Sequence, residues 1–199
     1  MSRRVSRREL FRRATGGGAL RRPPAAVEEA RFLELCDGCG KCIAACEAAE
    51  SGVLVADRAG APLVKLGTRF CTMCGDCVKA CPTGALDASL AETVEMGEWA
   101  FPWRMEIDPA ACLEFAGTTC RMCESACEWS AIRFRPVPGF RWEAWIELAD
   151  CTGCGECLPR CPRQAIRIIE ADEVSARLAA ARTHEDAAAA PARKGEEAA

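Results

Sequence analysis

Residues Cys71–Pro82 read CTMCGDCVKACP, with four cysteines inside eleven positions and a proline behind the fourth. Such crowding has three chemical readings: a disulfide framework, a zinc site or an iron–sulfur cluster. Each makes a different demand on the rest of the chain, and the chain answers by repetition. Cys36, Cys39, Cys42 and Cys46 share the C-x2-C-x2-C-x3-C spacing, as do Cys151, Cys154, Cys157 and Cys161. A further group, Cys112, Cys120, Cys123 and Cys127, differs only in its first interval, where LEFAGTT stands between the first two cysteines. These four groups use all 16 cysteines of the 199-residue chain.

The groups are themselves paired. Cys71 and Cys151 are 80 positions apart, and Cys39–Cys120, Cys42–Cys123 and Cys46–Cys127 are 81 apart. Two halves are therefore copies of one plan, each holding two motifs. Between the motifs each half reads as a hairpin. GVLV (52–55) and PLVKL (62–66) flank a Gly-containing turn, and AIRFRP (131–136) and WEAWIEL (142–148) flank a Pro/Gly turn. AIRII (165–169) alternates like a half-buried strand. The C-x3-C interval puts the third and fourth thiols one helical turn apart on a short helix, and Pro82 and Pro162 discourage its continuation. Elements this small bury little apolar surface, so something inorganic is expected to stabilise them.

Zinc is usually held by two C-x2-C pairs from separate loops. Here a third thiol follows each pair after two residues, which suits the corners of a [4Fe–4S] cube. The run closed by C-x3-C-P is the bacterial ferredoxin pattern, in which the fourth cysteine ligates the other cluster of the pair. Four such loops predict four [4Fe–4S] clusters. The crossover predicts Cys36, Cys39, Cys42 and Cys81 on one cluster and Cys71, Cys74, Cys77 and Cys46 on the next. In the second half it predicts Cys112, Cys120, Cys123 and Cys161, then Cys151, Cys154, Cys157 and Cys127. For the expanded third loop an all-local ligand set stays open. The fold class expected is α+β: two tandem two-cluster ferredoxin modules of short helices and hairpins. Their boundaries are expected at 29–96 and 105–171, with a basic arm over 1–28, an aromatic linker over 97–104 and an alanine- and charge-rich tail over 172–199.

The formal net charge of −3 carries no nucleic-acid footprint. No run approaches the roughly 18–20 apolar residues of a membrane span. The charge is uneven: eight arginines and one acid, Glu9, fall within residues 1–22. SRRELFRR (6–13) resembles a twin-arginine export motif, but neither a long apolar stretch nor a cleavage site follows. A cytoplasmic location is expected, where disulfides rarely persist. Arg7, Arg8, Arg12 and Arg13 are candidate partner contacts, with a solvated tail as the plain alternative. Trp99, Phe101, Trp103, Trp129, Trp142 and Trp145 either form a docking patch or pack between the halves. His184, the one histidine, reads as a bystander in a polar tail. With no P-loop, no GxGxxG and every thiol assigned to a cluster, an electron-transfer or assembly protein is expected rather than an enzyme.

SRRELFRR, RRPP, FLELCDGCGKCIAAC, CTMCGDCVKACP, CLEFAGTTCRMCESACE and CTGCGECLPRCPRQAI together resemble the NapF-type ferredoxins. These are accessory proteins of the periplasmic nitrate reductase system. The resemblance covers about residues 6–170, and the C-x7-C third motif with the arginine arm is its specific part. It implies a cytoplasmic protein that binds the reductase's catalytic subunit before export and helps load or reduce that subunit's iron–sulfur cluster. The alternative it leaves is a polyferredoxin passing electrons to a nitrate reductase or another oxidoreductase complex.

Overall fold

The computed structural model describes residues 21–87, 89, 101–139 and 141–189. Their contacts divide into two units, one taking residues up to 99 with Cys154–Pro159, the other taking 100–153 and 160 onward.

In the first unit, Glu28 caps helix α1 (Glu29–Leu35) by accepting the Ala30 N–H at 3.1 Å. The helix buries Phe32 and ends where Cys36 turns extended. Helix α2 (Lys41–Ala48) starts from Gly40 at φ 71°, a left-handed backbone that glycine adopts without strain. Strands β1 (Leu54–Ala56) and β2 (Pro62–Val64) pair antiparallel, Leu54 opposite Val64. Asp57 closes their turn, its Oδ1 accepting the N–H groups of Ala59 and Ala61. Helix α3 (Asp76–Lys79) again starts from a left-handed glycine, Gly75. A bridge between Ala26 and Leu86 ties the two ends of this half together. Its core is Phe32, Val53, Leu54, Val64, Val78 and Leu86.

Residues from Arg21 onward are built into this unit rather than trailing from it. Arg21 O accepts the Val64 N–H at 2.7 Å. Arg22, only 8% exposed, makes two 3.0 Å bonds to the Glu29 carboxylate, reaches Pro62 O at 3.1 Å and lies 4.4 Å over the Phe32 ring. Asp57 adds a charge at 3.5 Å.

The second unit pairs β3 (Arg104–Ile107) through a register set by strand β6 at Ile166–Ile169. Between them lie α4 (Met122–Ser125) and the six-residue strands β4 (Ile132–Val137) and β5 (Arg141–Ile146). Helix α5 (Cys157–Arg160) also falls between them in sequence, but its residues up to Pro159 belong to the first unit. The β4–β5 ladder turns Ile132, Ala144 and Ile146 inward and Trp145 outward. Helix α6 (Ala171–Ala189) follows β6 and buries Val174 in its first turn.

Both hairpins expected from the sequence are present, and AIRII supplies β6. Its partner β3 arises where RMEI leaves the aromatic linker, a pairing across some sixty residues that no local pattern announces. The shared-helix expectation holds for Cys42 and Cys46 alone. The helices after the other three motifs stop before the fourth cysteine. Pro82 and Pro162 account for two of these stops. Cys127 has no proline behind it, and there Ser125 Oγ bonds back to Met122 O at 3.1 Å.

Candidate iron–sulfur centres

The left-handed positions of the motif loops recur in register. Gly38 and Gly40, Met73 and Gly75, and Gly153 and Gly155 all carry positive φ at the second and fourth places after the first cysteine. In the first unit this alternation coils each loop so that successive thiols face one space. The third motif repeats only the last of these places, with Arg121 at φ 54°.

Two such spaces are complete in the first unit. One cavity is lined by Cys36, Cys39, Cys42 and Cys81, with Phe32 and Leu86 among its apolar walls. Another is lined by Cys46, Cys71, Cys74 and Cys77, walled by Val53, Leu54 and Val64. Each takes three thiols from one loop and the fourth from the other. Among the described residues no three His, Cys, Asp or Glu side chains converge tightly enough to hold a single metal ion. All 16 cysteines are free of disulfides.

The thiols of the first unit differ in environment. Burial pushes Cys71 and Cys77 up to about 12, and the neighbouring Cys46 and Cys74 add to the effect. Cys42 is pushed to about 11 by burial, with Cys81 and Cys36 contributing. Burial raises Cys81 as well, but the Leu86 N–H at 3.5 Å and Thr83 outweigh it and the net shift is downward. Cys39 and Cys74 are exposed.

In the second unit burial pushes Cys123 up to about 11, helped by the negative charge that Cys161 and Cys112 would carry. Burial also raises Cys151, which feels Arg104 and Cys127. The fourth cysteines receive backbone donors in the same way as Cys81: Ala131 N–H reaches Cys127 Sγ at 3.4 Å and Ala165 N–H reaches Cys161 Sγ at 3.2 Å. Beside Cys151 the Thr152 hydroxyl is buried with no hydrogen-bond partner. Soft thiolate quartets, amides aimed at sulfur and an orphan hydroxyl in the motif loop all fit a sulfide-bearing cluster.

Arg7, Arg8, Arg12, Arg13 and Trp99 lie outside the described residues. Phe101 and Trp103 are buried and stacked, ring centroids 4.3 Å apart, and Trp103 Nε1–H donates to Gly153 O at 2.9 Å. Trp129 and Trp142 are half-buried. Trp145 is 37% exposed, with the Arg135 guanidinium 5.5 Å from its ring centroid. His184 falls within α6. Sequence reasoning missed Glu114, which is buried in the expanded loop and accepts the Cys120 N–H at 2.9 Å. A lone acid between two ligand cysteines was the available signal.

Two segments, residues 35–85 and 118–165, match the family model of the 4Fe-4S dicluster domain. The chain is 32% identical over 146 residues to the ferredoxin-type protein NapF of Escherichia coli strain K12, covering 73% of this chain and 82% of that protein. It is 34% identical to the ferredoxin-type protein NapF of Haemophilus influenzae, covering 73% and 76%. It is 30% identical over 171 residues to the ferredoxin-type protein NapG of Escherichia coli strain K12, covering 78% and 73%.

Proposed function

The chain belongs to the NapF-type ferredoxin family, and on that premise we propose that it is a four-cluster accessory protein acting on a nitrate reductase catalytic subunit in the cytoplasm before export. As a ferredoxin-type iron–sulfur protein it handles electrons through [4Fe–4S] clusters. When bound, each cluster supplies a one-electron couple. The protein supplies the thiolates, the amide donors and the apolar walls that exclude water. The ligand sets proposed are Cys36, Cys39, Cys42 and Cys81; Cys46, Cys71, Cys74 and Cys77; Cys112, Cys120, Cys123 and Cys161; and, from the spacing repeat, Cys127, Cys151, Cys154 and Cys157. The observation that carries this reading is the exchange of fourth cysteines between the two cavities of the first unit. The third set draws support from Cys161 and Cys112 both pushing up the Cys123 thiol, which favours the crossover over an all-local ligand set.

In this reading the arm brings the partner and the clusters load or reduce its iron–sulfur site. Arg7, Arg8, Arg12 and Arg13 are the contacts proposed. Because Arg21 and Arg22 are hydrogen-bonded into the first unit, a clean arm deletion stops at residue 20. That deletion is expected to weaken capture of the immature catalytic subunit from cytosol while leaving bound iron unchanged. Equal capture would remove the arm from the contact.

A second reading, an electron carrier for a reductase complex, draws on exposed Cys39 and Cys74, each of which opens one edge of a cavity to a docked protein. A strain lacking the protein that still makes fully active reductase would leave only this carrier role. No described helix is long and apolar enough to cross a membrane.

A further inference from the structure

The third motif departs from the repeat, and its departure is organised around a buried carboxylate. Glu114, 3% exposed, accepts the Cys120 N–H at 2.9 Å, and Arg121 Nε stands 3.7 Å from the same oxygen. Arg121 occupies the place that Gly40, Gly75 and Gly155 fill in the other motifs, and it takes their left-handed backbone at φ 54°. A long side chain there carries strain that glycine avoids, so something must hold it. Its guanidinium lies 4.3 Å from the Trp142 ring centroid and 4.8 Å from that of Phe134, with Glu124 at 3.7 Å. The inserted residues close on themselves, Thr118 N–H bonding to Leu113 O at 2.9 Å and Ala116 N–H to Cys112 O at 3.2 Å.

Resting on the ligand set Cys112, Cys120, Cys123 and Cys161, we propose that Glu114 and Arg121 are a fixed ion pair setting the reduction potential of the third cluster apart from the other three. Glu114 holds that potential down and Arg121 holds it up. Two effects of Glu114 have the same sign. Amides that donate to cluster sulfur favour the more negative, reduced state, and Glu114 takes the Cys120 amide for itself. A buried anion also acts through protein rather than water, so its repulsion of an added electron is weakly screened. The first motif has a related contact, Cys39 N–H to Asp37 Oδ1 at 3.0 Å, but Asp37 is exposed and solvent screens it. The insertion thus turns a surface cap into an internal charge.

The test is an EPR-monitored redox titration of the whole loaded chain at fixed pH. Dithionite gives up electrons and ends as sulfite. Each cluster with its thiolates gains one electron, passing from charge −2 to −3 with no bond or proton exchanged. Glu114→Gln is expected to move one signal to higher potential by about tenfold in the one-electron equilibrium, about 59 mV. Arg121→Gly, which relieves the backbone while deleting the cation, is expected to move the same signal lower, and the double variant to fall between. Unchanged potentials with full iron in both single variants would overturn the proposal. So would shifts of the same sign in both, or loss of one cluster's iron in both, since either result describes a loop clasp alone. A Cys120→Ala protein that keeps all four signals would instead remove the ligand set, and that failure is separable from a silent Glu114→Gln.

Discussion

Cys42 and Cys81 line one cavity, yet ionising them costs different amounts. Burial holds Cys42 near 11, while donated hydrogen bonds bring Cys81 below the usual thiol value. Iron takes thiolates, so loading must expel the protons that Cys42, Cys71 and Cys77 keep in the empty fold. Lower pH therefore favours release. Bleaching of the loaded protein by a chelator is expected to be several-fold faster at about pH 6 than at about pH 8.5, followed as loss of visible absorbance. For any folded chain without clusters the sign is opposite. Its raised thiol values add stability below about pH 9, and that contribution disappears as pH climbs through about 11 to 12. Replacing Cys81 with Ala is expected to cost the first cavity its cluster, seen as roughly a quarter less iron and sulfide. The cysteines were fully legible in the sequence because their spacing is covalent. The difference between Cys42 and Cys81 was not, because the Leu86 amide arrives from the turn that follows.

At the scale of elements, the segment running into α1 depends on Arg22. Removing a buried, paired cation takes two 3.0 Å bonds from the Glu29 carboxylate and leaves an opening beside Phe32. Arg22→Ala is expected to cost about 3 kcal/mol, read as a lower unfolding midpoint in denaturant. Arg22→Lys is expected to recover only part of it, since an ammonium cannot make the two-pronged bond to Glu29. The fourth motif has a comparable dependence at Gly153. At φ 76° a side chain is strained, and an added Cβ would stand 2.6 Å from Trp103 O. Gly153→Ala is expected to lose iron from that motif, with the remaining clusters retained on iron analysis. Hairpins were readable from apolar runs around Gly and Pro. Strand β3 was not, because RMEI becomes a strand only by pairing with IRII far along the chain. Arg121 was equally opaque, since its left-handed backbone sits where the repeat leads one to expect glycine.

At the scale of the whole chain, the hydrophobic cores are short rosters of Phe, Val, Leu and Ile beside four-thiol cavities. Clusters are expected to contribute most of the folding free energy, as metals do in other small domains. Anaerobic chelation should then collapse the far-ultraviolet signal of the hairpins together with the visible colour. A colourless chain with its circular dichroism intact would reverse that view. Four oxidised clusters at roughly −2 each would carry the formal −3 to about −11. Against that charge the basic arm is a poor internal counterion, being gathered at one end of the sequence.

The cavity that begins with Cys36 is closed by Cys81, 39 positions beyond Cys42, and its neighbour borrows Cys46 in return. A nascent polypeptide emerges from its N-terminus onward. While still on the ribosome, it offers the first site only three thiols until the whole second loop has left the exit tunnel. The second site has all its thiols once Cys77 is out, and the first is complete only four residues later, at Cys81. Iron delivery to this half is thus a late and paired event, timed by the length of polypeptide between two cysteines.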